Sequence, residues 1–423
     1  MTLLLSTFTL LMVVKVPIAM SMFGCSIIYL VANNLNPVIA VQRMLAGTNS
    51  FVLLAVPGFM LAANIMNTGG ITSRIFNFAD KCVGHITGGL GHANILASVI
   101  FAGMSGSATA DAAGLGAIEL KAMREAGYPD DFSIAVTGAS SLVGPIIPPS
   151  IPMVVYAVAA NQSAGRLFVA GVIPGFIMAL SMSIYVYFSC KRMGYKPGKR
   201  ATFQEFWKAL REGFFSIMAP VFILGSILAG AVTPTEAAIV AVVYAVILGL
   251  CYRTITVPDI WGFLKGTMDM ITPILLILSS ASLFAWILAM EQVPQAAANL
   301  FLNLTTNKYV FLLIINILLL IVGCFMDTTA AIIILTPVFL PILKEYSIDP
   351  IHFGVVMVVN MMIGFLTPPV GVGLYVLSVV SGVKFELIVK SILPYIVVMI
   401  VLVLFFSFVP QVVMLLPNIF FTT

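Results

Sequence analysis

The sequence has little charge. Of 423 residues only 9% are Asp, Glu, Lys or Arg, while 61% are apolar; a soluble domain is nearer one quarter charged. So few charges cannot make a water-facing surface, which excludes a soluble enzyme. The net charge of +4 is no nucleic-acid signal, because the Lys and Arg residues sit in short gaps between apolar runs. Cysteine is scarce: Cys25, Cys82, Cys190, Cys251 and Cys324 form no CxxC and no metal spacing. Four lie in or beside apolar runs and read as packing residues rather than disulfide halves. No Walker A string occurs, so ATP is not the energy source. The first apolar segment has no basic leader and no convincing cleavage site, and is expected to be retained.

What the chain has is apolar length broken by glycine and proline. Thirty-three glycines and 23 prolines are spread through apolar stretches, as in membrane helices that bend or break. The expected fold is an all-α polytopic membrane protein. Apolar runs fall near 2–14, 17–32, 51–66, 91–120, 132–158, 167–189, 214–232, 236–251, 268–290, 309–343, 353–380 and 391–418. A simple crossing needs about 20 residues, and several runs are too long for one. Segments 91–120 and 309–343 each hold two short apolar halves around a polar tip. The tips read Gly103-Met104-Ser105-Gly106-Ser107 and Gly323-Cys324-Phe325-Met326-Asp327-Thr328-Thr329. Each is expected to be a re-entrant hairpin, dipping in and returning to the same side.

The basic residues set an orientation. With the Lys/Arg-rich gap 190–213 placed in the cytoplasm, 15 of the 20 Lys and Arg residues fall inside. Only Arg43, Arg166, Lys308 and Lys344 fall outside. The bias does not prove re-entrance, because two full spans per hairpin would leave the sides unchanged. Lys15 remains. It either lies buried in one long kinked helix or marks a cytoplasmic turn, Lys15-Val16-Pro17, between two short spans. The turn is favoured, because burying an unpaired ammonium is costly; it would put the N-terminus outside.

An internal repeat is the most informative feature. Gly103 to Gly144 is 41 residues, and so is Gly323 to Gly364. A shift of 220 also lays Thr109-Ala110 on Thr329-Ala330 and Pro148-Pro149 on Pro368-Pro369. In the orientation above one hairpin opens from the cytoplasm and the other from outside, so the halves are expected to be inverted repeats, as in many secondary transporters. The second Pro of each pair has no N–H and its ring obstructs the preceding turn, so the helix breaks. Carbonyls freed at membrane depth must face protein, a cavity or an ion. They suit a hard cation such as Na⁺, while half-helix N-termini suit an anion. One such break would read as an ordinary kink. Two at one spacing, each preceded by a polar tip, read as functional.

Other features weigh less. Thr233-Pro234-Thr235-Glu236 fits a capping box. Residues 71–86 carry Ile71, Ile75, Ala79, Cys82 and Ile86 on one face, and residues 294–308 carry Gln295, Asn299, Asn303 and Thr306 on a polar stripe. Both are expected to be arms along the membrane faces. Asp111 and Asp327 are acids at membrane depth and hence functional candidates.

At these residues the sequence resembles the large membrane subunit of a TRAP transporter, the tripartite ATP-independent periplasmic family. The resemblance spans essentially the whole chain. It is carried by FAGMSGSATAD at 101–111, GPIIPPSIP at 144–152, TPTEA at 233–237 and IGFLTPPVG at 363–371. It implies a bacterial or archaeal inner-membrane importer driven by Na⁺, with a small membrane subunit and a periplasmic substrate-binding protein as partners. It further implies an elevator: a scaffold of 1–66 and 214–290, a moving domain of 91–189 and 309–423, arms at 67–90 and 291–308, and a cytoplasmic loop at 190–213. One Na⁺ would lie at Ser105, Ser107, Gly144, Ile147 and Pro149. A second would lie at Gly323, Gly364, Thr367 and Val370, with Asp327 reinforcing it. The substrate, a small organic acid, would meet Ser107, Ser150 and Thr328. C4-dicarboxylates, keto acids, sugar acids and sialic acid are family substrates, and the reading leans to sialic acid. Lys15 departs from the neutral residue expected in the family.

Three other readings compete. A stand-alone Na⁺-coupled carboxylate symporter would share the architecture without the partners. A channel would need a continuous polar pore, which isolated tips do not make. Gly103-Met104-Ser105-Gly106 matches the GxSG of intramembrane serine proteases, but Ser105 would need a base within hydrogen-bond reach, and His85, His92 and His352 are poorly placed.

Overall fold

The computed structural model describes residues 2–68 and 70–421, and every regular element among them is helical. Seven helices are long and apolar enough to cross a membrane: Ala164–Arg192, Phe203–Leu228, Pro234–Cys251, Asp259–Met290, Lys308–Phe325, Thr328–Glu345 and Phe385–Phe408. The pair Val38–Thr48 and Phe51–Asn67, bent by 59° at their junction, is together long and apolar enough for either a broken span or a re-entrant loop. The chain is a multi-pass membrane protein.

Glycine and proline set the element boundaries. The first hairpin runs down Gly89–Ser105 and reverses at Gly106, whose φ of 61° lies in the left-handed region that glycine enters freely. It returns through Ala108–Ala110, a π-helical turn Asp111–Leu115, and Gly116–Glu125. The helix after it is broken into Asp130–Ser141 and Ile151–Ala160, around the prolines at 145, 148 and 149. The second hairpin is Lys308–Phe325 and Thr328–Glu345, followed by the broken pair Pro350–Phe365 and Val372–Ser381. Pro148-Pro149 and Pro368-Pro369 are both joined by cis peptide bonds. The element starts at Gly89, Ala108, Asp130, Ile151 and Ala164 recur at a shift of 220, to within one residue, at Lys308, Thr328, Pro350, Val372 and Phe385, whereas the starts at Asp111 and Gly116 have no counterpart in the continuous helix Thr328–Glu345.

The broken helices lie at the centre. All of Phe132 to Ser141 is buried, as is every residue of Pro350–Phe365 after its first. Polar clasps tie each to the first helix of its own hairpin. Asn94 Nδ2 donates to Thr137 Oγ1 at 2.8 Å and Ser140 Oγ to Asn94 Oδ1 at 2.7 Å. In the second half Asn360 Nδ2 donates to Asn316 Oδ1 at 2.7 Å. Ser140 and Asn360 are equivalent under the shift. Between apolar helices such bonds fix a partner that hydrophobicity cannot choose.

The structure decides the two ends of the long apolar pattern. Lys15, with φ 66°, does lie in a turn, between Thr2–Val13 and Ile18–Ala32. These helices of 12 and 15 residues reach only ~18 and ~22 Å at 1.5 Å per residue, short of a hydrocarbon core of about 30 Å. They are therefore the two short apolar helices expected on either side of the turn. The apolar run 391–418 is also not one helix: the chain breaks before Pro410 into Phe385–Phe408 and Pro410–Phe420, because a proline cannot continue the hydrogen-bond ladder.

The expected capping box forms, and segments 71–83 and 293–304 are helices. Thr233 and Glu236 form the capping box reciprocally, Thr233 N–H donating to the Glu236 carboxylate at 2.7 Å and Glu236 N–H to Thr233 Oγ1 at 3.3 Å. The helix Ile71–Val83 buries Ile71, Thr72, Ile75, Phe76 and Ala79 against Gly89–Ser105 and Phe203–Leu228. The helix Val293–Leu304 leaves Gln295, Asn299 and Asn303 exposed. All five cysteines are free thiols.

Candidate functional site

Each hairpin tip is held against its own broken helix by the backbone. At the first, Ile151 N–H donates to Gly106 O at 3.3 Å; at the second, Gly371 N–H donates to Cys324 O at 3.2 Å. Ile151 and Gly371 are equivalent under the 220 shift. The approach is close because no side chain intervenes: a Cβ on Gly106 would lie 2.3 Å from Pro149 O. Gly144 sits beside the Ser107 carbonyl, where a Cβ would lie 3.4 Å from that oxygen.

The two tips also share a cap. Ser107 Oγ accepts the Ala110 N–H at 3.3 Å, and Asp327 Oδ1 accepts those of Thr329 at 2.9 Å and Ala330 at 3.3 Å. Ser and Asp are both favoured N-caps, so equivalent positions do one structural task with different charge. The carboxylate therefore has a local role that the sequence reading did not assign it, and the charge remains beside the cavity.

Between the tips lies a cavity of about 530 Å³, within the size range of small-molecule sites. The hairpins contribute Ser105 to Ala110 and Asp327 to Thr329. The broken helices contribute Pro145, Ile151, Pro152, Met362 and Phe365. The far wall comes from Met60, Asn64 and Asn67 and from Met270, Pro273 and Ile277. Three helix N-termini therefore border it, those at Ala108, Ile151 and Thr328; a helix dipole favours an anion at such an end, but at Thr328 the Asp327 carboxylate already occupies it. Neither Lys nor Arg lines it.

The residues expected at the sites separate on this geometry. Ser107, Thr328, Asp327 and Ser105 line the cavity. Ser105 is fully buried, and its Oγ has no hydrogen-bond partner among the described residues. A hydroxyl left so in an apolar region is costly unless something binds it; a cation beside the freed backbone fits this donor set. Gly144, Ile147 and Pro149 are buried behind the first tip, and Gly323 and Gly364 behind the second. Thr367 turns its hydroxyl back to Ile363 O at 2.6 Å, and Val370 is 37% exposed. The second break is thus more open than the first.

Ser150 lies elsewhere. It is fully buried and absent from the cavity wall. Its Oγ donates to Pro145 O and accepts the Met153 N–H at 3.2 Å, so both capacities are used inside the break. It caps the helix Ile151–Ala160. Conversely, Asn64, Asn67, Thr109 and Thr329 line the cavity and were not named as site residues from the sequence, although Thr109 and Thr329 matched under the repeat shift. The two asparagines carried a legible signal, polar amides at the end of an apolar run. No histidine bonds Ser105 among the described residues: His92 Nε2 contacts Thr87 O at 3.2 Å, His352 Nε2 contacts Phe406 O at 2.8 Å, and His85 lines a separate pocket with Lys81 and Arg200.

The family model for "Tripartite ATP-independent periplasmic transporter, DctM component" matches residues 5–412. The chain is 44% identical to the sialic acid TRAP transporter large permease protein SiaM of Vibrio cholerae, over 96% of this chain and 95% of that one. It is 39% identical to the C4-dicarboxylate TRAP transporter large permease protein DctM of Pseudomonas aeruginosa, over 89% and 88%. Its fold is similar to the crystal structure of the Alcanivorax borkumensis YdaH transporter, with a TM-score of 0.65 over 88% and 87% of the two chains at 15% identity. The chain is thus a transport protein and not an enzyme, and it belongs to the tripartite ATP-independent periplasmic (TRAP) transporter family as a large permease of the DctM type.

Proposed function

We propose that this permease is the membrane-spanning part of a Na⁺-driven, binding-protein-dependent importer of a small organic acid in the bacterial inner membrane. The observation that carries the reading is the cavity itself, where both tips and both breaks meet a separate wall. The helix N-termini at Ala108 and Ile151 attract a carboxylate there without a full positive charge. Beside them, Ser105 Oγ and the loosened backbone of Gly144, Ile147 and Pro149 supply oxygens for one Na⁺. Gly323, Gly364, Thr367 and Val370, with the Asp327 charge nearby, supply the second. Ser107 and Thr328 face the substrate.

The mechanism follows from the division of the wall. Segments 1–66 and 214–290 act as a scaffold, and segments 91–189 and 309–423 move against it as two inverted repeats, carrying the cavity from one side to the other. Arms at 67–90 and 291–308 join the two along the membrane faces. With so little charge in the chain, capture of dilute substrate falls to a periplasmic binding protein, and a small membrane subunit completes the assembly. Sialic acid is the favoured substrate, supported by the 44% identity to a sialic acid permease, ahead of C4-dicarboxylates at 39%.

Reconstitution tests this. Uptake into proteoliposomes containing both membrane subunits, with the binding protein outside, should follow an inward Na⁺ gradient and ignore ATP. Undiminished uptake without Na⁺ on either side would reject the coupling. Full uptake by the large subunit alone would instead favour a stand-alone symporter.

A further inference from the structure

Behind the first tip, outside the cavity, two acids are buried together. Asp111 is 1% exposed and Glu119 fully buried. They are eight residues apart in sequence, which in a regular α-helix leaves them about 80° apart around the axis. The π-helical turn Asp111–Leu115 takes up one extra residue, so that the pair is disposed as if seven apart, about 20° from one face. The two carboxyls interact electrostatically. Ser98 Oγ donates to Asp111 Oδ1 at 3.4 Å, and that is the pair's only hydrogen bond among the described residues. Asp111 Oδ2 and both carboxyl oxygens of Glu119 have no partner there.

Among the described residues no cation pairs with them. On the same arm, Lys121 faces Glu125 at 4.0 Å and Arg124 pairs with Asp130 at 2.7 Å. From the helix Asp130–Ser141, Asp131 caps Phe132 N–H at 2.8 Å. From Gly89–Ser105, His92 is held by Thr87 O. From Ile71–Val83, Lys81 pairs with Asp80 at 3.1 Å, Arg74 lies over Tyr252 at 3.9 Å, and Cys82 is a free thiol. From Val372–Ser381, Tyr375 is half-exposed and packs on Phe385. Under the 220 shift Ala331 and Phe339 replace the two acids, so the feature belongs to one hairpin only.

Two ionised carboxylates cannot share an apolar interior without a counter-charge. We propose that Glu119 is a proton-binding site of this permease: it is held as the neutral acid within the first hairpin and donates a hydrogen bond towards the Asp111 carboxyl. The proton is the ligand, distinct from the ions at the tips. Ionising Glu119 would put a second charge behind the tip and loosen the hairpin, so proton occupancy ties the first hairpin to pH.

Infrared spectroscopy of the full chain in lipid bilayers tests this without a substrate. The wild type at neutral pH should show the carbonyl stretch of a protonated carboxylic acid, indifferent to added Na⁺ and lost as pH is raised. Glu119→Gln should remove that band, and Asp111→Asn should shift it by changing its hydrogen-bond acceptor. If Glu119→Gln does not insert, Glu119→Asp, which withdraws the acid by one methylene, must shift the band. Absence of the band in the wild type, its persistence in Glu119→Gln, or its abolition by Na⁺ would overturn the proposal; the last outcome would make the pair a cation site.

Discussion

Gly323 and Gly364 touch backbone to backbone across the second hairpin tip and the second break. A Cβ on Gly364 would lie 2.4 Å from the Gly323 carbonyl carbon, and one on Gly323 would lie 3.1 Å from Gly364 Cα. Small residues permit this approach in membrane helices, where packing rather than hydrophobicity drives association.

Gly364→Ala should therefore separate the tip from the break. The obstructing atoms are backbone and cannot swing away, so a destabilisation of about 1–3 kcal/mol is expected, with transport lost. Gly225→Ala is the control: a Cβ there meets nothing within 4 Å. Thermal melting and uptake of both variants would check this; equal behaviour would contradict the contact.

Ser105→Ala removes a hydroxyl that has no partner among the described residues, so stability without Na⁺ should change little. What should fall is the stabilisation that Na⁺ adds, because a ligand that binds only the folded state raises stability in proportion to its occupancy. Melting curves at rising NaCl, with choline chloride held as the ionic control, separate the two effects. A full Na⁺ response in the variant would remove Ser105 from the ion site.

Asp327→Asn keeps an N-cap of about equal quality, whereas Asp327→Ala should cost about 1 kcal/mol through the lost cap. The difference isolates the charge. In Asp327→Asn the Na⁺ concentration for half-maximal uptake should rise much more than the substrate requirement, since an acid beside the cavity repels a carboxylate and attracts a cation. The reverse pattern would put Asp327 against the substrate.

Ser150→Ala should behave as a structural change. It leaves the Met153 N–H without its cap, costing about 1 kcal/mol, while apparent substrate affinity among properly inserted molecules stays the same. A selective loss of substrate affinity at normal stability would return Ser150 to the substrate site.

Apolar length, proline pairs and tip spacing determined the membrane class, both breaks, the repeat shift of 220 and the Lys15 turn, because each rests on local backbone chemistry. A proline cannot donate an N–H wherever the chain goes, and an ammonium cannot be buried alone. Tertiary structure alone decided where the side chains point. Ser150 and Thr367 look like free hydroxyls in the sequence, yet each is bonded to a nearby carbonyl. Asn64 and Asn67 lie far from either tip in the chain and share the cavity with both. Glu119 reads as an ordinary charge beside Lys121, in the apolar-to-basic edge of a hairpin. A single π turn, which no residue pattern announces, rotates it onto the face of Asp111 and buries it. Local steric and hydrogen-bonding rules are written residue by residue, whereas a cavity wall and a buried pair are relations through space.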